Sequence, residues 1–403
     1  MSDSTQWHSP SGQPPVPPPG GQLPPPPPPP GWSSAGWTAA GSTWTPPPRP
    51  GLIPLAPMTL GTILGASFRV LRRNPRPVVG ISLIIHVVLA VISLVTSGFL
   101  AVNALTSYFN DVTANNVSSS TITTLLLAFV ASFTSAIFTF GGDTILLGII
   151  TVEVARGTVG EKLPLAALWN RARGRIAVLI GWAALVMAVV LVVITVYLGA
   201  IVLLMAFGGG AGIAIGAVLI FVGLFGFIAL GIWFATKLSL VPSILVLERP
   251  TLGAAIRRSW SLVRGYFWRT FGIEILVAVI LAIASQIVVE PFSLIALFIF
   301  GIGNPSGLAT GSAAFASFTQ TTQVVSVIAG ALAATITAVI SSAATALIYI
   351  DLRMRKEGLD LTLSRFVDAR QAGSADLPDP YAPTGTPTLP SPAASSPSTS
   401  APA

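Results

Sequence analysis

From Ile176 to Thr236 the chain carries no charged residue, and this run limits the fold more than any other feature. One helix of that length would be ~90 Å long at 1.5 Å per residue, about three times the hydrocarbon core of a bilayer. The glycine-rich stretch "FGGGAGIAIG", residues 207–216, interrupts the run. Glycine supplies turn conformations at little steric cost, so the run is predicted to be two spans joined by a tight hairpin. Further apolar runs bring the predicted spans to 78–102, 122–150, 176–206, 211–240, 271–300 and 323–350. Only 9% of the 403 residues are charged, against about a quarter in a soluble domain. The chain therefore reads as an all-α polytopic integral membrane protein with about six transmembrane helices.

The charges alternate with the spans. Arg69, Arg72, Arg73 and Arg76 precede the first. Arg156, Lys162, Arg171, Arg173 and Arg175 lie between the second and third. Arg249, Arg257, Arg258, Arg264 and Arg269 lie between the fourth and fifth, and Arg353, Arg355 and Lys356 follow the sixth. The intervening loops carry no Lys or Arg. By the positive-inside rule both termini are predicted to be cytoplasmic, in a multi-pass cell-membrane protein. The net charge of +7 is then a matter of topology, and no nucleic-acid partner is expected.

The predicted membrane domain covers 57–356. Residues 1–56 include "QPPVPPPGGQLPPPPPPPGW", and 357–403 end in a Pro/Ser/Thr/Ala-rich stretch. Such compositions bury too little apolar surface to offset ordering entropy, so both are predicted to be largely disordered tails. Trp7, Trp32, Trp37 and Trp44 punctuate the first, which suits it to bind a soluble protein partner.

One segment occurs more than once. "TLGTILGASFRVLRRNPRPVVGI" from Thr59 aligns without a gap with "TLGAAIRRSWSLVRGYFWRTFGI" from Thr251, and "WNRARGRIAVLIGW" from Trp169 is a fainter third copy. Phe68, Trp169 and Trp260 correspond, as do Arg72, Arg173 and Arg264, and Gly80, Gly181 and Gly272. On a helical wheel Leu60, Ile63, Leu64 and Ser67 share one face, opposite Arg69, Arg72 and Arg73. Leu252, Ala255, Ile256 and Ser259 likewise oppose Arg257, Arg258 and Arg264. The expected unit is an amphipathic interfacial helix followed by a transmembrane hairpin, present three times, with Thr59 and Thr251 as N-caps. The apolar faces are expected in the acyl boundary. Arg69, Arg72, Arg73, Arg257, Arg258 and Arg264 are expected at the headgroups of an anionic inner leaflet.

"PMTLGTILGASFRVLRRNPRPVVGIS" and "VPSILVLERPTLGAAIRRSWSLVRGYFWRTFGIEIL" resemble the membrane domain associated with glycerophosphoryl diester phosphodiesterases, related to stand-alone membrane proteins of high-GC Gram-positive bacteria. The resemblance spans roughly 57–356. It implies an integral membrane module, and it does not imply hydrolysis. The phosphodiesterase activity belongs to an appended barrel of ~250 residues, for which neither tail has room.

Catalytic chemistry finds little support. The chain has no cysteine, and its histidines are His8 and His86, too few for a His-rich metal site. No nucleotide-binding motif and no acid–base pair at defined spacing is present, so no cofactor is expected. Asp143, in "FTFGGDTILLGII", is the intramembrane polar candidate, because an acid at membrane depth is costly. The leading expectation is a non-enzymatic scaffold or lipid- and partner-organising module. The alternative is a transporter or channel using Asp143.

Overall fold

The computed structural model of the chain describes residues 51–98, scattered positions between 100 and 111, and residues 119–303, 313–374 and 377–382. These residues contain no β-strand. Helix α1 (Leu60–Arg73) is followed by α2 (Pro75–Ser93), which continues through a π-helical turn to Gly98, and then by α3 (Ser119–Thr158). Next come α4 (Leu165–Arg173), α5 (Ile176–Phe207), α6 (Gly209–Leu238) and the short α7 (Val241–Leu247). The chain continues with α8 (Leu252–Val263), α9 (Phe267–Gly303), α10 (Ala313–Glu357) and α11 (Leu359–Gln371). Among the described residues six helices are long and apolar enough to cross a membrane: α2, α3, α5, α6, α9 and α10. The protein is an all-α, multi-pass membrane protein.

Each of three hairpins is preceded by a shorter helix. The spans begin at Pro75, Ile176 and Phe267, which are equivalent positions of the aligned segments. The breaks before the first and third have a local cause. Pro75 starts α2, where its missing N–H costs nothing. Gly265, at φ +87°, supplies the left-handed residue between α8 and α9. The α5–α6 connection is tighter than expected: Gly208 alone separates the helices, and Gly209 takes φ +56°.

Helix α10 is the axis of the molecule. It packs against α9, α3, α2 and α1, and its final turns are deeply buried, with Leu347, Tyr349 and Ile350 inaccessible to solvent. Helix α6 is the opposite case. Phe221 and Phe225 are 65% and 57% exposed, as expected of a helix facing lipid.

Three expectations need correction. The segment 251–268 is not one helix along the membrane surface, because α8 stops at Val263 and Phe267 already belongs to α9. The apolar faces of α1 and α8 meet protein as well as any acyl boundary. Ile63, Ala66, Ser67 and Val70 are buried, as are Ala255, Ser259 and Leu262, and α1 lies on α10. The tail boundaries also move. Leu52, Ile53 and Leu55 are buried, and the Leu52 amide donates to Gly157 O. At the other end α11 buries Leu359, Leu363 and Val367, and Tyr381 is fully enclosed. Residues 1–50 and 383–403, with the Trp-punctuated segment, lie outside the described residues.

Candidate functional site

Two sites emerge from the fold: an arginine-rich end of the bundle and a pair of polar residues within the membrane-spanning region. At the arginine-rich end the starts of α2, α5 and α9 meet the ends of α3, α6 and α10. Arg73 donates to the carbonyls of Gly157 and Glu161 at 2.7 and 2.9 Å, a guanidinium closing the C-terminal end of α3, where the helix dipole favours positive charge. Asn74 beside it donates to Glu153 Oε1 and Leu163 O. Lys237 is buried and lies over the rings of Trp260 and Phe267, 5.3 and 5.7 Å from their centroids.

Two acids organise this end. Buried Glu248 accepts from Arg258 Nε and Nη2 and from Tyr349 Oη. Arg258 also grips Glu357, with Nη1 2.6 Å from Oε1, and Arg353 donates to Glu357, to Tyr349 Oη and to the Tyr381 carbonyl. Partial burial pulls the Arg258 pKa down, but its hydrogen bonds to Glu248 and Glu357 outweigh this and hold the pKa above its ordinary value. Burial pushes the Tyr381 phenol up, although its hydroxyl is bonded to Thr158. Asp351 is the second node. It accepts from the Met58 amide at 2.7 Å, from Arg355 Nε at 2.9 Å and from Arg269 Nη2 at 3.1 Å. The Met58 carbonyl accepts in turn from Arg269 and Arg355.

The six arginines expected at headgroups therefore divide. Arg73 and Arg258 are committed to protein partners. Arg69, Arg72, Arg257 and Arg264 are exposed and form no ion pair among the described residues. In the sequence Arg353 and Arg355 mark topology, and no motif singles out Glu248, Asp351 or Glu357. The available signal was a lone acid closing an apolar run, in "ILVLER" and "IYIDLR".

Asp143 has a partner that the sequence did not pair with it. His86, on α2, places Nε2 3.4 Å from Asp143 Oδ1. His86 Nδ1 lies 2.8 Å from the Ser82 carbonyl, and Ser82 Oγ donates to the Thr335 carbonyl on α10. Both residues line a cavity of about 380 Å³ with residues of α9 and α10. Among the described residues no group of three or more His, Cys, Asp or Glu could hold a metal ion.

The family model "Domain of unknown function (DUF7847)" matches residues 147–352, just over half of the chain. The chain belongs to this family. No curated protein and no solved structure matches it. The DUF7847 segment contains Glu153, Glu248, Arg258, Arg269, Tyr349 and Asp351, most of the ion-paired end. It excludes α1, His86 and Asp143. The family description carries no activity.

Proposed function

We propose that the protein is a non-enzymatic membrane module that gathers anionic lipid at the inner leaflet, with its arginine-rich end cytoplasmic. The supporting observation is the segregation of charge at that end. Glu153, Glu161, Glu248, Asp351 and Glu357 are all engaged by arginine or asparagine side chains. Arg69, Arg72, Arg171, Arg173, Arg257 and Arg264 stay exposed. These five acids are committed within the fold, and the exposed arginines on or beside α1, α4 and α8 have no paired acid among the described residues; the unpaired acids Asp360 and Asp368 lie on α11. Each such residue close to an anionic bilayer contributes about 1 kcal/mol, screened by salt. The resemblance to the membrane domain of glycerophosphoryl diester phosphodiesterases supports a module of this kind, and the Pro/Trp-rich segment suits a soluble protein partner.

The test is lipid retention by the purified full chain. In mixed micelles holding equal phosphatidylglycerol and phosphatidylcholine, native mass spectrometry should find the anionic lipid preferentially bound. Changing Arg69, Arg72, Arg257 and Arg264 together to Gln should remove the preference without loss of the folded species. Equal retention of both lipids by the unaltered chain would refute the proposal. One observation favours a second reading, transport: Asp143 opens onto a cavity at membrane depth. Coupled flux in proteoliposomes, lost in Asp143→Asn, would support that reading.

A further inference from the structure

The geometry points to a ligand site at the His86–Asp143 pair: we propose that it binds one monovalent, amphiphilic organic cation in exchange for one proton. This stands apart from the lipid-headgroup reading, since it concerns a different end of the spans and a different charge.

The proton count follows from the hydrogen bonds. A carbonyl oxygen only accepts, so His86 Nδ1, 2.8 Å from Ser82 O, carries a hydrogen. The Ser82 hydroxyl is already committed as donor to Thr335 O and cannot reverse this assignment. The remaining ring nitrogen, Nε2, faces Asp143 Oδ1 at 3.4 Å. Two lone pairs facing each other there would repel, so one proton belongs between them, on the carboxyl or on the imidazole. Either way the protonated pair is neutral overall. Without that proton it carries one negative charge.

Position makes the charge matter. Pro75 to His86 is eleven residues along α2, ~16 Å at 1.5 Å per residue, close to the middle of a ~30 Å hydrocarbon core. A net charge at that depth is costly and needs a partner. The cavity lining contains no other charged or titratable side chain: α9 contributes Ala278, Leu281, Ala282 and Ser285, and α10 contributes Ala, Thr and Ser. The neutralising partner is therefore a proton or a cation from outside the protein. Asp143 Oδ1 is buried against His86, yet the side chain as a whole is 47% exposed, so the rest of the carboxyl is open to a ligand.

The walls select the kind of cation. One carboxylate balances one charge, which disfavours a divalent ion. A small inorganic ion would need several converging oxygens, whereas half of the lining residues are Ala or Leu and the Thr337 hydroxyl is already committed to the Ala333 carbonyl. About 380 Å³ falls in the range of small-molecule pockets. The rim residues Ala278, Ala282 and Ser341 are exposed, so the mouth lies at the depth of the acyl chains, where an amphiphile already concentrates. The exchange balances: the neutral protonated pair takes up one cation, releases one proton and stays neutral.

Tetraphenylphosphonium is a suitable probe, with the full chain in phosphatidylcholine nanodiscs, which leave out the anionic-lipid interaction. Binding should release about one proton per cation into weakly buffered medium. By linkage, apparent affinity should rise with pH, by at most tenfold per pH unit, wherever binding displaces the proton. Asp143→Asn should abolish both binding above the lipid background and proton release. Ala338→Leu, which fills the cavity and keeps the acid, should weaken binding at least tenfold and settles the matter if Asp143→Asn does not fold. Binding without proton release, unchanged affinity in Ala338→Leu, or equal competition by sodium would each overturn the proposal.

Discussion

Replacing Asp351 by Asn tests whether the arginine-rich end is held by its buried acids. The substitution keeps the shape and one accepting oxygen but removes the charge facing Arg269 and Arg355. Asp351 is 1% exposed, and breaking a buried pair by neutralising one partner costs ~3–5 kcal/mol. The arginines remain 31% and 25% exposed, so water recovers part of this, and about 2–3 kcal/mol is the better figure. The loss falls on the segment that Asp351 holds through the Met58 amide. The chain has no cysteine, so Leu55→Cys gives a single thiol at a position that is 7% exposed. Its maleimide labelling rate reports the opening equilibrium of residues 51–58. At 1.4 kcal/mol per factor of ten, labelling should accelerate ~30- to 150-fold when Asp351→Asn is added. Adding Arg355→Met should restore part of the protection by removing an uncompensated charge. A rate within twofold of the Leu55→Cys parent would mean that apolar packing of Leu52, Ile53 and Met58 holds the segment, and the reasoning would fail.

Two further outcomes are expected. On intact cells an impermeant maleimide should label Ser119→Cys and Gly210→Cys, while Arg257→Cys should react only after permeabilisation; the reverse pattern would invert the orientation. Tyr381→Phe loses a single hydrogen bond to Thr158 and should cost ~1 kcal/mol, whereas Tyr381→Ala empties a fully buried site at ~3–5 kcal/mol. Trypsin cleavage after Arg370 should accelerate strongly only in the alanine variant, and equal rates in the two variants would show that residues 377–382 are not anchored by the ring.

The spans were legible because hydrophobicity over twenty residues is a local property. Their starts were legible because Pro75, Ile176 and Phe267 recur in the register of one repeated segment. What escaped the sequence is long-range pairing. Nothing in "IYIDLRMRKEG" says that Asp351 will hold an amide almost three hundred residues away, or that Arg353 will find the Tyr381 carbonyl. Composition also misled at both margins. The proline run upstream concealed the aliphatic cluster in "GLIPLAPM", and the Pro/Ser-rich end concealed α11, whose buried Leu359, Leu363 and Val367 follow a plain i, i+4 spacing. Asp143 was visible as an expensive residue, but its histidine lies on another helix of the same hairpin, beyond any local pattern.

The placement of acids ties these features together. The chain has 21 basic and 14 acidic residues, a modest excess that would leave little field if spread evenly. It is not spread evenly. Glu248 and Asp351 sit inside, each compensated by more than one cationic or hydroxyl donor, and this lets α7, α8 and α10 approach closely without stranding a charge. Using acids internally has a second consequence: the exposed arginines on or beside α1, α4 and α8 form no ion pair among the described residues. Farther into the bundle the design changes. Small residues at 334, 338 and 341 on α10 and at 278, 282 and 285 on α9 do not reach across to fill the space, and the one acid there meets a single histidine in place of an arginine pair. An arginine would have fixed the charge of that site permanently. A histidine whose Nδ1 is held by Ser82 leaves it dependent on one exchangeable proton.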